Sequence, residues 1–150
     1  MQVNEVITAI LNSAIEGSAS VFPFPLTTQK PSLVKTSFPM NATAVLIGVT
    51  GDLRGRFLLV AEDSVFASVA ESMYGMTLSG EMLNSFVGEI GNIVAGTMAT
   101  KLSLRKFRVD ITPPTVLSGS TTISGFKSAI QVPVDAGERG QLTLLLIFEE

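Results

Sequence analysis

Apolar residues recur at Leu83, Phe86, Val87, Ile90, Val94, Met98 and Leu102. Steps of one, three and four residues sustained over several turns describe a long amphipathic helix with one broad apolar arc. Such a helix cannot bury that arc alone and has to lie on another layer. The rest of the chain offers the layer. Strand signals at 32–38, 42–50 and 54–61 precede the helix, and others at 106–112, 121–133 and 141–148 follow it. Thr50-Gly51-Asp52 reads as a hairpin turn, and a second glycine-containing turn precedes the last strand, so neighbouring strands run antiparallel. The expected fold class is α+β, with helices packed on a largely antiparallel sheet.

Local signals place the remaining elements. Val3, Val6, Ile7, Ile10, Leu11, Ala14 and Ile15 line one side of a first helix over 3–16, with Gly17 as its stop. The Pro-, Ser- and Thr-rich stretch 18–31 reads as loop. Asp63 or Ser64 is the expected cap of a short helix ending near Gly75. Ser79 precedes the long helix and Glu81 places an acid in its first turn. Pro113-Pro114 breaks the following strand from the next. Gly51–Val60 and Gly137–Leu146 echo each other, each with an acid and an Arg-Gly pair entering an apolar strand. Helix, loop and three strands thus occur twice with an extra helix between, which suggests internal duplication of a helix-plus-three-strand unit. The run Leu142–Phe148 is either a central strand or an edge needing cover.

With 150 residues, 46% of them hydrophobic, residues 1–150 are expected to form a single domain with a sizeable core. There is no histidine and no cysteine, which removes histidine bases, thiolate nucleophiles, disulfides and soft metal sites. No cofactor or metal is expected to be bound by the chain itself. The net charge of -3, with one modest basic cluster at Lys101, Arg105, Lys106 and Arg108, speaks against a nucleic-acid partner. That cluster is either a solvated helix end or a surface that steers an acidic partner. The N-terminus lacks a secretory signal pattern, and the most apolar stretch is too short to span a bilayer. A cytoplasmic protein without a membrane partner is the expectation.

At about 100° per residue, Glu81, Ser85, Glu89, Asn92 and Gly96 share one stripe, opposite the Ile90–Val94 side that meets the sheet. A carboxylate and a carboxamide stand one turn apart, with a hydroxyl and a glycine beside them. Three glycines, Gly88, Gly91 and Gly96, each weaken a helix interior by about 1 kcal/mol relative to alanine. Either something packs very close to the helix, or a partner needs access to its backbone. Spacing alone leaves Glu89, Asn92 and Ser85 equally readable as solvated residues of a surface helix.

Ser85-x3-Glu89-x2-Asn92 inside Gly88-Glu-Ile-Gly-Asn-Ile-Val-Ala-Gly96, followed by Pro113-Pro114 after the next strand, resembles the signature of the CheC/CheX/FliY family of chemotaxis phosphatases, and its CheX branch in particular. The resemblance extends to the leading amphipathic helix and to a C-terminal run with Val-Pro-Val and a later Gly-x-Leu-x-Leu. It implies a CheC-like fold and a phosphatase acting on the aspartyl-phosphate of a CheY-like response regulator in two-component signalling. It further implies that Glu89 pairs with the regulator's lysine and that Asn92 positions the attacking water. Ser85 and Pro113 or Pro114 take supporting positions, and Mg²⁺ is supplied in the partner's active site. A homodimer joined through sheet edges is implied as well.

On the first helix, Glu5 is followed three residues on by Thr8 in place of asparagine, with Asn12 beyond, so one site is expected and not two. Two other readings stand beside this one. The first is a non-catalytic docking domain of the same fold that binds a receiver domain or flagellar-switch protein. The second is a generic α+β ligand-binding domain whose groove is lined by the proline-rich 20–31 loop.

Overall fold

Glycine turns and alternating apolar positions build a sheet that the helices cover on one face. The computed structural model describes residues 3–149. In chain order these form α1 (Val3–Val21), β1 (Thr27–Thr28), β2 (Ser32–Gly51), β3 (Arg54–Ala61), α2 (Asp63–Tyr74), α3 (Gly80–Leu104), β4 (Val109–Ile111), β5 (Thr115–Asp135) and β6 (Gln141–Glu149). A short 3-10 turn at Gly137–Arg139 leads into β6. The sheet order is β1-β5-β6-β3-β2-β4, with β5 also pairing β2, and every pairing is antiparallel.

The two halves repeat one plan. Each has a helix, a short strand, a long strand and a closing strand, and α2 lies between the copies. The register repeats too: Thr43↔Ala61 in the first half matches Ala129↔Ile147 in the second. β4 pairs the end of β2, as β1 pairs the end of β5. The expected α+β class and its duplicated unit are thus both present.

Apolar residues fill both faces of the central strands. Val45, Ile47, Phe57, Leu59, Leu144 and Leu146 face the helices in one cluster. On the reverse face Leu58, Val60, Leu145 and Ile147 meet Met40, Ile123 and Phe126, contributed by the ribbon that β2 and β5 form together. Phe57, Leu58, Leu145 and Leu144 are almost wholly buried. This explains the apolar run 142–148, interrupted only by Thr143: β6 is central, between β3 and β5, and is covered on both sides.

Some expected boundaries move. Gly17 does not end α1; a Cβ there would stand 3.0 Å from the Met98 backbone nitrogen, so this glycine is where α1 and α3 cross. The helix continues to Val21, and the following segment carries β1 and turns Phe22 and Phe24 into the core. The expected strands 32–38 and 42–50 are one strand with an irregularity at Thr36, whose φ is 65°. Pro39 is tolerated because it pairs only with Thr122 of β5, while β3 reaches no further than Thr43. Asp63 does not cap α2, whose N-cap is Glu62; its carboxylate instead accepts a hydrogen bond from the buried Thr43 hydroxyl.

Candidate functional site

α3 aims the stripe through the residues between its members. Phe86, Val87, Gly88, Ile90 and Gly91 are buried, whereas Ser85, Glu89 and Asn92 are exposed on the opposite side. Gly91 lets the helix sit directly on the sheet. A Cβ there would come within 2.3 Å of Val45 Cγ1 and 2.6 Å of Cγ2. Such close seating fixes the height of the acid–amide pair above the strands.

One flank of the stripe is built by the loop after β4. Thr112 is clamped to β2: its hydroxyl accepts from the Gly48 N–H at 2.8 Å, and its own N–H donates to the Gly48 carbonyl at 3.0 Å. The clamp delivers Pro114 to α3, where its Cγ lies 3.8 Å from the position of a Cβ on Gly88, with Val116 Cγ2 at 3.5 Å. Pro113 stands one residue earlier, and its carbonyl accepts from the Thr112 hydroxyl at 3.3 Å. Both prolines are exposed. Pro114 is therefore the one that packs beside the residue preceding Glu89.

The other flank is apolar. Tyr74, at the end of α2, meets Phe86 edge to face with ring centroids 5.7 Å apart. Met82 and Ile93 project on that same side of the helix, and Tyr74, Met82 and Ile93 are 50%, 60% and 40% exposed. Sequence reasoning about chemistry passed these three by. Their signal was that Met82 and Ile93 do not fit the buried arc.

Among the described residues, the side chains of Ser85, Glu89 and Asn92 make no hydrogen bond and no ion pair; the ion pairs lie elsewhere, Arg56 with Glu149 at 3.9 Å and Arg105 with Glu16 at 2.5 Å. A carboxylate and a carboxamide are thus held on a rigid helix with their full hydrogen-bonding capacity turned outward. Among the described residues no group of three or more acidic side chains could hold a metal ion. Among the described residues no helix is long and apolar enough to cross a membrane.

α1 presents the analogous spacing. Glu5, Thr8 and Asn12 are exposed and line a shallow depression with Ala9 and Arg105. Arg105 belongs to the basic cluster, but it is engaged with α1, donating to Ser13 Oγ at 3.1 Å and to the Glu16 carboxylate.

Residues 43–134 match the family described as chemotaxis phosphatase CheX, a span that includes all of α3 and Pro113-Pro114. The CheY-P phosphatase CheX of Thermotoga maritima is 32% identical over 133 residues, 86% of each chain. The chain belongs to the CheX family. Among solved structures, a CheC-like superfamily protein from Shewanella sp. PV-4 has a TM-score of 0.80 and 25% identity over the whole of both chains. The CheX of a CheX–CheY–BeF₃–Mg²⁺ complex from Borrelia burgdorferi has a TM-score of 0.78 and 22% identity, covering 96% of this chain and 97% of that one. The CheC-like fold that the motif's resemblance implies is therefore the fold of this chain.

Proposed function

We propose that this CheX-family chain hydrolyses the aspartyl-phosphate of a CheY-like response regulator, with Asn92 as the catalytic residue and Glu89 as the anchor. The observation that carries the reading is the outward-facing Glu89–Asn92 pair on α3, unpartnered among the described residues, in a chain of this family. The partner brings the acyl phosphate, its own lysine and the divalent cation. An acyl phosphate has a good leaving group, so what remains is alignment of one water with phosphorus. The Asn92 carbonyl oxygen accepts a hydrogen bond from that water without adding a full charge beside the phosphoryl oxygens. The water oxygen bonds to phosphorus, the bond to the aspartyl oxygen breaks, and carboxylate and inorganic phosphate are released, with the water's proton passing to phosphate or solvent. Glu89 pairs with the partner's lysine and sets the register of the two proteins. Ser85 and Pro114 support the pair from either side.

Phosphate release from a phosphorylated receiver domain in Mg²⁺ tests this reading. Asn92→Ala should lower kcat by about 100-fold or more, the scale of lost alignment. Glu89→Ala should raise KM about ten- to a hundredfold, the scale of a lost charge-assisted hydrogen bond. Full activity in Asn92→Ala would remove the water-positioning role, and binding without turnover by the wild type would favour the docking-only reading. We also infer a cytoplasmic homodimer joined through sheet edges, since β1 and β4 leave short free edges; sedimentation equilibrium tests the dimer.

A further inference from the structure

The three α3 glycines have different surroundings. Gly91 is forced by Val45, and Gly88 lies in ordinary contact with Val116 and Pro114, but a Cβ on Gly96 would meet nothing within 4 Å. Nothing described in the fold requires a glycine at 96, although alanine would suit the helix better. Gly96, itself half-buried, lies on the same stripe one turn beyond Asn92, about 6 Å along the axis. Beside the stripe runs the apolar flank of Tyr74, Met82 and Ile93.

We infer that Gly96 and Ile93 form the docking track for the receiver-domain surface around the phosphorylated aspartate, Gly96 by letting the partner's backbone approach α3 and Ile93 by covering an apolar side chain of the partner. This rests on the proposed function. The occupant follows from continuity: any partner whose acyl phosphate reaches Asn92 must also lie over the adjoining turn, which carries Ile93 and Gly96. α1 supplies the contrast within the same molecule. There the residue four beyond Glu5, the place that Ile93 holds relative to Glu89, is the buried Ala9, and the place of Gly96 is taken by Asn12. Glu5 and Thr8 are exposed but have neither the asparagine nor the track. The track thus accompanies the intact acid–amide pair and is missing where the pair is incomplete.

The test is binding of the full-length protein to a CheY-like receiver charged with beryllofluoride and Mg²⁺, measured by titration alongside phosphate release from the phosphorylated receiver. Gly96→Ala should raise the melting temperature by about 2–4 °C while weakening binding at least fivefold. Ile93→Ala should weaken binding by a similar factor. A more stable Gly96→Ala variant that binds as tightly as wild type overturns the inference, even where Asn92 proves catalytic. If the wild type binds but does not hydrolyse, the phosphatase reading fails, and weaker binding by the variants still supports the track. Wild type that does not bind the charged receiver overturns both. Variants that change self-association and leave receiver affinity intact assign the track to a second copy of this chain, which also overturns it.

Discussion

Gly91→Ala should loosen the contact on which the acid–amide pair is aimed. The added methyl would stand 2.3, 2.6 and 2.9 Å from Val45 Cγ1, Cγ2 and Cβ, against about 3.5–4.0 Å for an ordinary carbon contact. Val45 is fully buried and is paired on both sides, with Leu59 of β3 and Val116 of β5, so it cannot step aside. The helix has to rise by roughly 1 Å. Overpacking of this kind costs about 1–3 kcal/mol, and relief of the glycine penalty returns about 1 kcal/mol. The net loss is about 0–2 kcal/mol, or up to about 8 °C in Tm for a chain of this size. Urea and thermal unfolding of Gly91→Ala, Val45→Ala and the double variant measure it. Val45→Ala alone should cost about 2 kcal/mol, but in the double variant the new methyl enters the vacated space. The double should therefore be at least about 1 kcal/mol more stable than the sum of the two singles. Strict additivity would refute the idea that Val45 sets the height of α3. Gly88→Ala meets only ordinary contacts at 3.5 and 3.8 Å, so it should be neutral or stabilising.

Thr8→Asn completes a Glu-x2-Asn spacing on α1 but supplies no counterpart of Ile93 or Gly96, so phosphate release should stay at the wild-type rate; a rise toward about twofold, the limit for doubling the sites, would show that the track is dispensable. The Arg105 hydrogen bond holds the Glu16 carboxyl below its ordinary pKa. A carboxyl lowered in the folded state stabilises it above the unfolded pKa, and that contribution is lost as pH falls through the folded value. The advantage of wild type over Glu16→Gln in urea midpoint should therefore be present at neutral pH, close on acidification, and shrink in high salt because the pair is exposed. An advantage that persists unchanged into acid would contradict the assignment to this pair.

Periodicity made α3 legible, because Leu83 to Leu102 repeat on one arc and the polar stripe is what remains. The positions of Ser85, Glu89 and Asn92 on its outer side followed from spacing, and the resemblance of their motif gave the stripe a chemistry. Boundaries set by long-range contact were not legible. Gly17 looks like a helix stop in isolation and becomes a crossing point only because α3 lies against it. The run 142–148 could not reveal its neighbours, since a strand buried on both faces shows no alternation.

By itself the sequence determined the α+β class, the repeated helix-and-strand unit, and a chemistry limited to carboxylate, amide and hydroxyl groups; helical and strand periods are local, and missing histidine and cysteine cannot be restored by folding. Only the tertiary structure decided which proline flanks Glu89, and which glycine is forced from within and which is left open. Those depend on how closely one backbone approaches another, a distance set by the whole packed assembly and not by the spacing of residues along the chain.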